Sequence, residues 1–196
     1  MKFKRKQFRK EYKLALDYIW DSRNFIYLAI GGFFVFSLAG LFLPVPEFIR
    51  EKILEIIREI LLQTEGLGRG ELMGFIFMNN LQSSFFAIVF GSIFGIIPFV
   101  SSMFNGYLLG FVASLTIERE GILSLWRILP HGIFELPAVF ISFGIGIKFG
   151  AFIFRKDKTK SFRGYLLNSL RVFFLIVLPL LIIAAIIEGT LISFGR

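Results

Sequence analysis

The chain reads as an all-α integral membrane protein: five transmembrane helices, an external amphipathic helix and a basic amino-terminal cytoplasmic helix. Three observations predict it. Of the 196 residues, 56% are hydrophobic and only 18% are charged, against roughly 45–50% and about 25% in soluble domains. Several apolar runs reach the length of about 20 residues that a helix needs to cross a bilayer. The basic residues gather in two clusters at the ends of apolar runs.

The first 23 residues carry eight Lys or Arg against three acids, and seven of these cations precede any apolar span. Phe3, Phe8, Tyr12, Leu14 and Leu16 interrupt the charge at helix-compatible spacing. The segment 1–23 therefore reads as a cytoplasmic amphipathic helix on anionic lipid headgroups. A solvated basic tail that obeys the positive-inside rule is the plainer alternative.

The first span is 25–43, closed by Pro44 and Pro46, with Gly31, Gly32 and Gly40 allowing close helix contact. Residues 47–62, EFIREKILEIIREILL, place Phe48, Ile49, Ile53, Ile56, Ile57, Ile60 and Leu61 on one helical face and charges on the other. This is an amphipathic helix outside the bilayer core, able to lie flat on the membrane but, with its near-neutral charge, expected to dock on its own protein or on a second copy. The second span is 72–97, containing Asn79 and Asn80, with Gly91 and Gly95 four apart and Pro98 as its stop. The third, 99–117, follows at once with Ser102, Gly106 and Gly110 at four-residue spacing, so a tight hairpin with glycine-faced helices is expected.

Residues 122–129 are apolar enough to lie in the headgroup region or to dip in as a re-entrant segment, with Trp126 as an interfacial anchor. The fourth span is 131–154, and Lys148 within it can snorkel toward the nearby basic end. Arg155, Lys156, Lys158, Lys160 and Arg163 form the second basic cluster. The fifth span is 166–194, with a kink expected at Pro179. All of 1–196 forms a single polytopic domain. Four crossings between the two basic clusters put both in the cytoplasm. The amino terminus is then inside, the carboxyl terminus outside, and the membrane is the cell membrane.

The charge of +8 is thus spent on topology, and nucleic acid is not an expected partner. The absence of cysteine excludes disulfides and thiolate chemistry. The most informative stretch is Leu129-Pro130-His131-Gly132-Ile133-Phe134-Glu135-Leu136-Pro137-Ala138, which holds the only histidine of the chain. On a helix, His131 and Glu135 share a face one turn apart. Polar groups of this kind are expensive in a bilayer and need a partner, a cavity or a task. The topology puts them in the outer half of the membrane with Asn79, Asn80 and Asn105, so one shared polar cluster is geometrically possible.

Three roles are open to it. The cluster can be a satisfied structural network. His131 and Glu135 can ligate a divalent metal such as zinc, although two ligands make a tight site only if a homodimer brings four. Glu135 can also carry a proton along a transport pathway. One histidine without cysteine gives no zinc-protease spacing, and no phosphate-binding glycine loop is present, so an enzyme is not expected.

The Asn79-Asn80 pair, the Gly91–Pro98 run, Asn105-Gly106 with Gly110 and above all the PHGxxExPA segment resemble the stage II sporulation protein M family, over roughly residues 20–195. The resemblance carries over Asn79, Asn80, Asn105, His131, Gly132, Glu135 and Pro137, without a catalytic role. In sporulating bacteria, members of that family work with a membrane-anchored peptidoglycan amidase and a lytic partner during engulfment. Relatives also occur in organisms that never sporulate. The resemblance and the lack of a sizeable extramembrane domain favour a membrane scaffold or assembly protein. The polar set Asn79, Asn80, Asn105, His131 and Glu135 would hold it together, Gly106, Gly132 and Pro137 would shape its helices, and a second copy or other membrane proteins would be its partners. The alternative is a channel-like protein or transporter for a small solute or ion, with a metal or proton site at His131 and Glu135.

Overall fold

A computed structural model describes the backbone of residues 2–127 and 129–194 and the side chains of 6–68, 70–125 and 135–187. The described residues form α-helices α1 (Lys2–Asp21), α2 (Arg23–Phe42), α3 (Glu47–Thr64), α4 (Arg69–Phe90), α5 (Ile96–Glu120), α6 (Leu129–Gly150), α7 (Lys158–Val172) and α8 (Leu178–Phe194), without strands. Five stretches are long and apolar enough to cross a membrane: α2, most of α4, α5, residues 135–154 and the 158–187 rod.

α6 is the central post. In its spanning part 67% of the residues are buried, against 17–28% in the other four. It packs on α2, α4, α5 and α8, and its Ala138, Val139, Phe143 and Ile145 fill the core with Ala29, Ala87, Ile88, Val177 and Leu181. The most extensive helix pair is α2 with α5. Here Ser102 Oγ donates to the Ala29 carbonyl at 2.8 Å. One turn on, a Cβ at Gly106 would strike the Phe33 carbonyl, and at Gly110 the Ser37 carbonyl. The three small residues thus follow three successive turns of α2, an approach that larger side chains would prevent.

This corrects the expected hairpin. The glycine face of α5 serves α2, and α4 and α5 touch far less. The break between them also lies earlier than expected. α4 ends at Phe90, and the turn 91–95 reverses the chain through Phe94 (φ 55°) and Gly95 (φ 68°). Pro98 stands in the first turn of α5, where its missing N–H would have no intrahelical acceptor. Gly91 and Gly95 meet α6, their absent side chains making room for the Gly146 and Ile147 backbones.

Residues 122–127 form one short 3-10 helix against α5 and α6. The last rod runs from α7 through a π-helical turn, Phe173–Val177, into α8. Pro179 cannot donate to the Leu175 carbonyl, which lies inside that turn, so the expected irregularity is absorbed one turn upstream as a π-bulge. Asp157 caps the start of α7, its carboxylate accepting from the Lys160 amide at 3.0 Å.

α1 folds back on the basic end of the bundle. Glu11, Ala15, Tyr18 and Ser22 lie at helical spacing on its docked face: Ala15, Tyr18 and Ser22 are buried, and Glu11 pairs with Arg171 at 2.6 Å. Phe8, Tyr12, Leu16 and Trp20 form a second stripe, four residues apart and exposed. α3 makes no extensive contact with any other helix. Of its apolar face Ile53 is buried, while Phe48, Ile60 and Leu61 are exposed.

Candidate functional site

α4 and α6 bring together one pair of the expected polar residues. The Asn80 amide donates to the Glu135 carboxylate, and both side chains are half-buried. Asn80 lies eleven residues into α4, about 16 Å along its axis and so near the middle of a hydrocarbon layer about 30 Å thick. An amide donor on a carboxylate at that depth supplies a partner that lipid cannot. Two residues on, Pro137 continues the helix but cannot donate to the Ile133 carbonyl, leaving a polar backbone oxygen one turn back on α6.

The other residues divide differently from the expected single cluster. Asn79 is exposed, since on a helix it is rotated about 100° from Asn80. Asn105 is exposed too and does not join the pair: its amide donates to the Ser101 carbonyl of its own helix at 2.8 Å. Its neighbour Gly106 faces α2, which turns Asn105 outward. The His131 side chain and the surroundings of Gly132 lie outside the described residues, so the suggested His131–Glu135 metal site is not described there. Among the described residues no group of three or more His, Cys, Asp or Glu could hold a metal ion.

A second polar constellation involves Lys148. The expectation was a side chain that snorkels into water at the basic end; it does reach that end, but it is only 9% exposed, with α1 folded over it. Its ammonium donates to Ser22 Oγ at 3.1 Å and lies 4.1 Å from the centre of the Tyr18 ring. The Ser22 hydroxyl in turn donates to the Tyr18 carbonyl at 2.5 Å. A cation over an aromatic face gains from the ring quadrupole, the more so when desolvated. Burial pushes the Tyr18 hydroxyl pKa up; the Ser169 hydroxyl beside it partly offsets this, although the two do not meet in hydrogen-bonding geometry. A trace of the arrangement is visible in the sequence, where Ala15, Tyr18 and Ser22 form one helical stripe on an otherwise charged segment. Nothing in the sequence shows that Lys148 is its partner.

An uncharacterized protein of Methanocaldococcus jannaschii is 37% identical over 75 residues, which are 37% of this chain and 42% of that protein. The chain thus matches less than half the length of that relative. No solved structure matches. The sequence pattern described as Stage II sporulation protein M matches residues 24–191, from the start of α2 into α8 and so across all five apolar spans. The chain belongs to the stage II sporulation protein M family.

Proposed function

We propose that the chain is a non-enzymatic membrane scaffold or assembly protein that works as a homodimer in the cell membrane. Its amino terminus is cytoplasmic, its carboxyl terminus is outside, and α3 lies outside the bilayer core. The observation that carries this reading is the exposure of Asn79 on α4. The residue is ten positions from the start of that helix, about 15 Å deep, where an amide facing lipid goes unsatisfied. A symmetric second copy would supply the matching amide. The uncovered apolar residues of α3 supply a further surface for the same contact, and other membrane proteins are the remaining candidates for it.

The absence of native cysteine gives a direct test. Asn79→Cys in native membranes is expected to form an intermolecular disulfide on mild oxidation, and wild type is expected to run as a dimer by light scattering in detergent. A monomeric wild type together with no cross-link at position 79 rules the reading out.

A second reading, a small-solute or ion pathway, is favoured by the Glu135 carboxylate held half-buried at membrane depth. Its test is zinc binding and ion flux in proteoliposomes, both lost in Glu135→Ala. Neither binding nor flux in wild type removes it.

A further inference from the structure

The end of the bundle that carries both basic clusters contains a cleft of about 620 Å³ between α1, the start of α2, the end of α6 and α7. Its walls hold three cations, Arg23, Lys148 and Arg155, and one carboxylate, Asp21. Lys148 is the least expected of them. It is nine-tenths buried, and among the described residues no carboxylate lies within 4.0 Å of its ammonium. A buried charge whose carboxylate neighbour is not in contact is poorly compensated: Asp21 on the same wall, the Ser22 hydroxyl and the Tyr18 ring answer only part of it. An ammonium has three N–H donors, and one is used on Ser22.

Arg155 faces the same space from the segment after α6. Its Nε donates to the Tyr165 hydroxyl at 3.1 Å, a contact that turns the guanidinium toward α7. Its terminal N–H groups are left for a bidentate contact, the geometry that suits phosphate oxygens. Gly164 on α7 presents no side chain, and a Cβ there would meet open space. A guanidinium fork, a buried ammonium and a third cation around a roomy cleft make a receptor for a compact oxyanion.

We propose that this cleft binds a phosphate group, with Lys148 and Arg155 as its principal partners and Arg23 at its mouth. The phosphate of an anionic phospholipid and a free phosphate present the same oxygens, and the cleft lies where apolar spans give way to basic segments, within reach of both. The inference does not depend on dimerisation. It concerns the opposite end of the bundle from the start of α6.

The test uses the full-length protein, purified and stripped of lipid, titrated calorimetrically at constant ionic strength. The probes are inorganic phosphate, dioctanoylphosphatidylglycerol and dioctanoylphosphatidylcholine. Saturable binding of inorganic phosphate is expected if the source is soluble; binding of phosphatidylglycerol but not of inorganic phosphate assigns the site to a lipid headgroup. In either case Lys148→Met and Arg155→Gln are each expected to weaken binding about tenfold, the loss of one charge-assisted contact. Arg155 is exposed, so Arg155→Gln decides alone if the buried Lys148→Met does not fold. No saturable binding of phosphate or phosphatidylglycerol overturns the proposal, as does equal binding of phosphatidylcholine or unchanged affinity in Arg155→Gln.

Discussion

Asn80 and Glu135 are joined by a hydrogen bond across 55 positions of sequence, and the same offset sets Gly91 on Gly146 and Gly95 on Gly150. Asn80 and Gly91 are three helical turns apart, as are Glu135 and Gly146. α4 and α6 are therefore parallel neighbours in fixed register, with a polar bond at mid-depth and backbone-to-backbone contact at the basic end. α2 and α5 form a second parallel pair, in which Ser102, Gly106 and Gly110 each lie 73 positions beyond their partners Ala29, Phe33 and Ser37. A slip of one turn in either pair would break a hydrogen bond and drive side chains into a facing backbone.

That register makes the Asn80–Glu135 bond measurable. Interhelical hydrogen bonds in bilayers contribute about 1 kcal/mol. Asn80→Ala and Glu135→Ala are each expected to lower the unfolding free energy in detergent, and the double variant to lose less than the sum. The coupling energy in the double-mutant cycle is expected to be about 1 kcal/mol. Strict additivity would show that the two side chains act independently.

The glycines separate into two classes with opposite expectations. A methyl at Gly110 would strike the Ser37 carbonyl, whereas at Gly31 it would meet nothing within 4 Å. Gly110→Ala is expected to force α2 and α5 apart and to destabilise by about 1–3 kcal/mol, the range for overpacking. Gly31→Ala removes only chain entropy from the unfolded state, so it is expected to be neutral or stabilising by up to about 1 kcal/mol. Thermal unfolding of the two variants side by side checks the order.

Hydropathy and proline placement made the helices readable, because each span must satisfy its own backbone inside lipid. Pairing was harder to read, since the glycine stripe of α5 fits any helix that offers a matching surface. The turn at 91–95 was hidden because Ile93 and Phe94 continue the apolar run. Pro98 was read as a stop, though proline suits a first turn equally well. Asn79 and Asn80 were both legible as polar residues at depth; that only Asn80 faces a neighbour depends on which face of α4 meets α6. Lys148 looked like a snorkelling residue because the sequence does not show that α1 folds over it.

Docking of α1 rests on its small and aromatic residues more than on its ion pair. Glu11 and Arg171 are both partly exposed, and such pairs contribute about 0–1 kcal/mol. Glu11→Gln is expected to leave tryptic cleavage at Lys10 and Lys13 unchanged within twofold. Ala15 is fully buried, so Ala15→Leu is expected to lift the helix and to speed that cleavage markedly. Equal cleavage rates in the two variants would show that shape does not hold α1 in place.

Tyr18 gives the docked helix a dependence on alkaline pH. Its hydroxyl is buried in the folded protein, which raises its pKa above the ordinary tyrosine value of about 10. The folded state then holds the proton more tightly than the unfolded state, so the contribution is complete below about pH 10 and declines as pH rises beyond it. Lys148 lies over the ring, and Tyr165 and Asp21 are nearby. The difference between wild type and Tyr18→Phe isolates the hydroxyl. The phenyl ring keeps the face on which the Lys148 ammonium rests, and the hydroxyl has no hydrogen-bond partner to lose. Tyr18→Phe is therefore expected to match wild type in thermal stability at pH 7 and to exceed it at pH 11. Parallel melting curves at both pH values would show that the Tyr18 hydroxyl stays accessible to solvent in the folded protein.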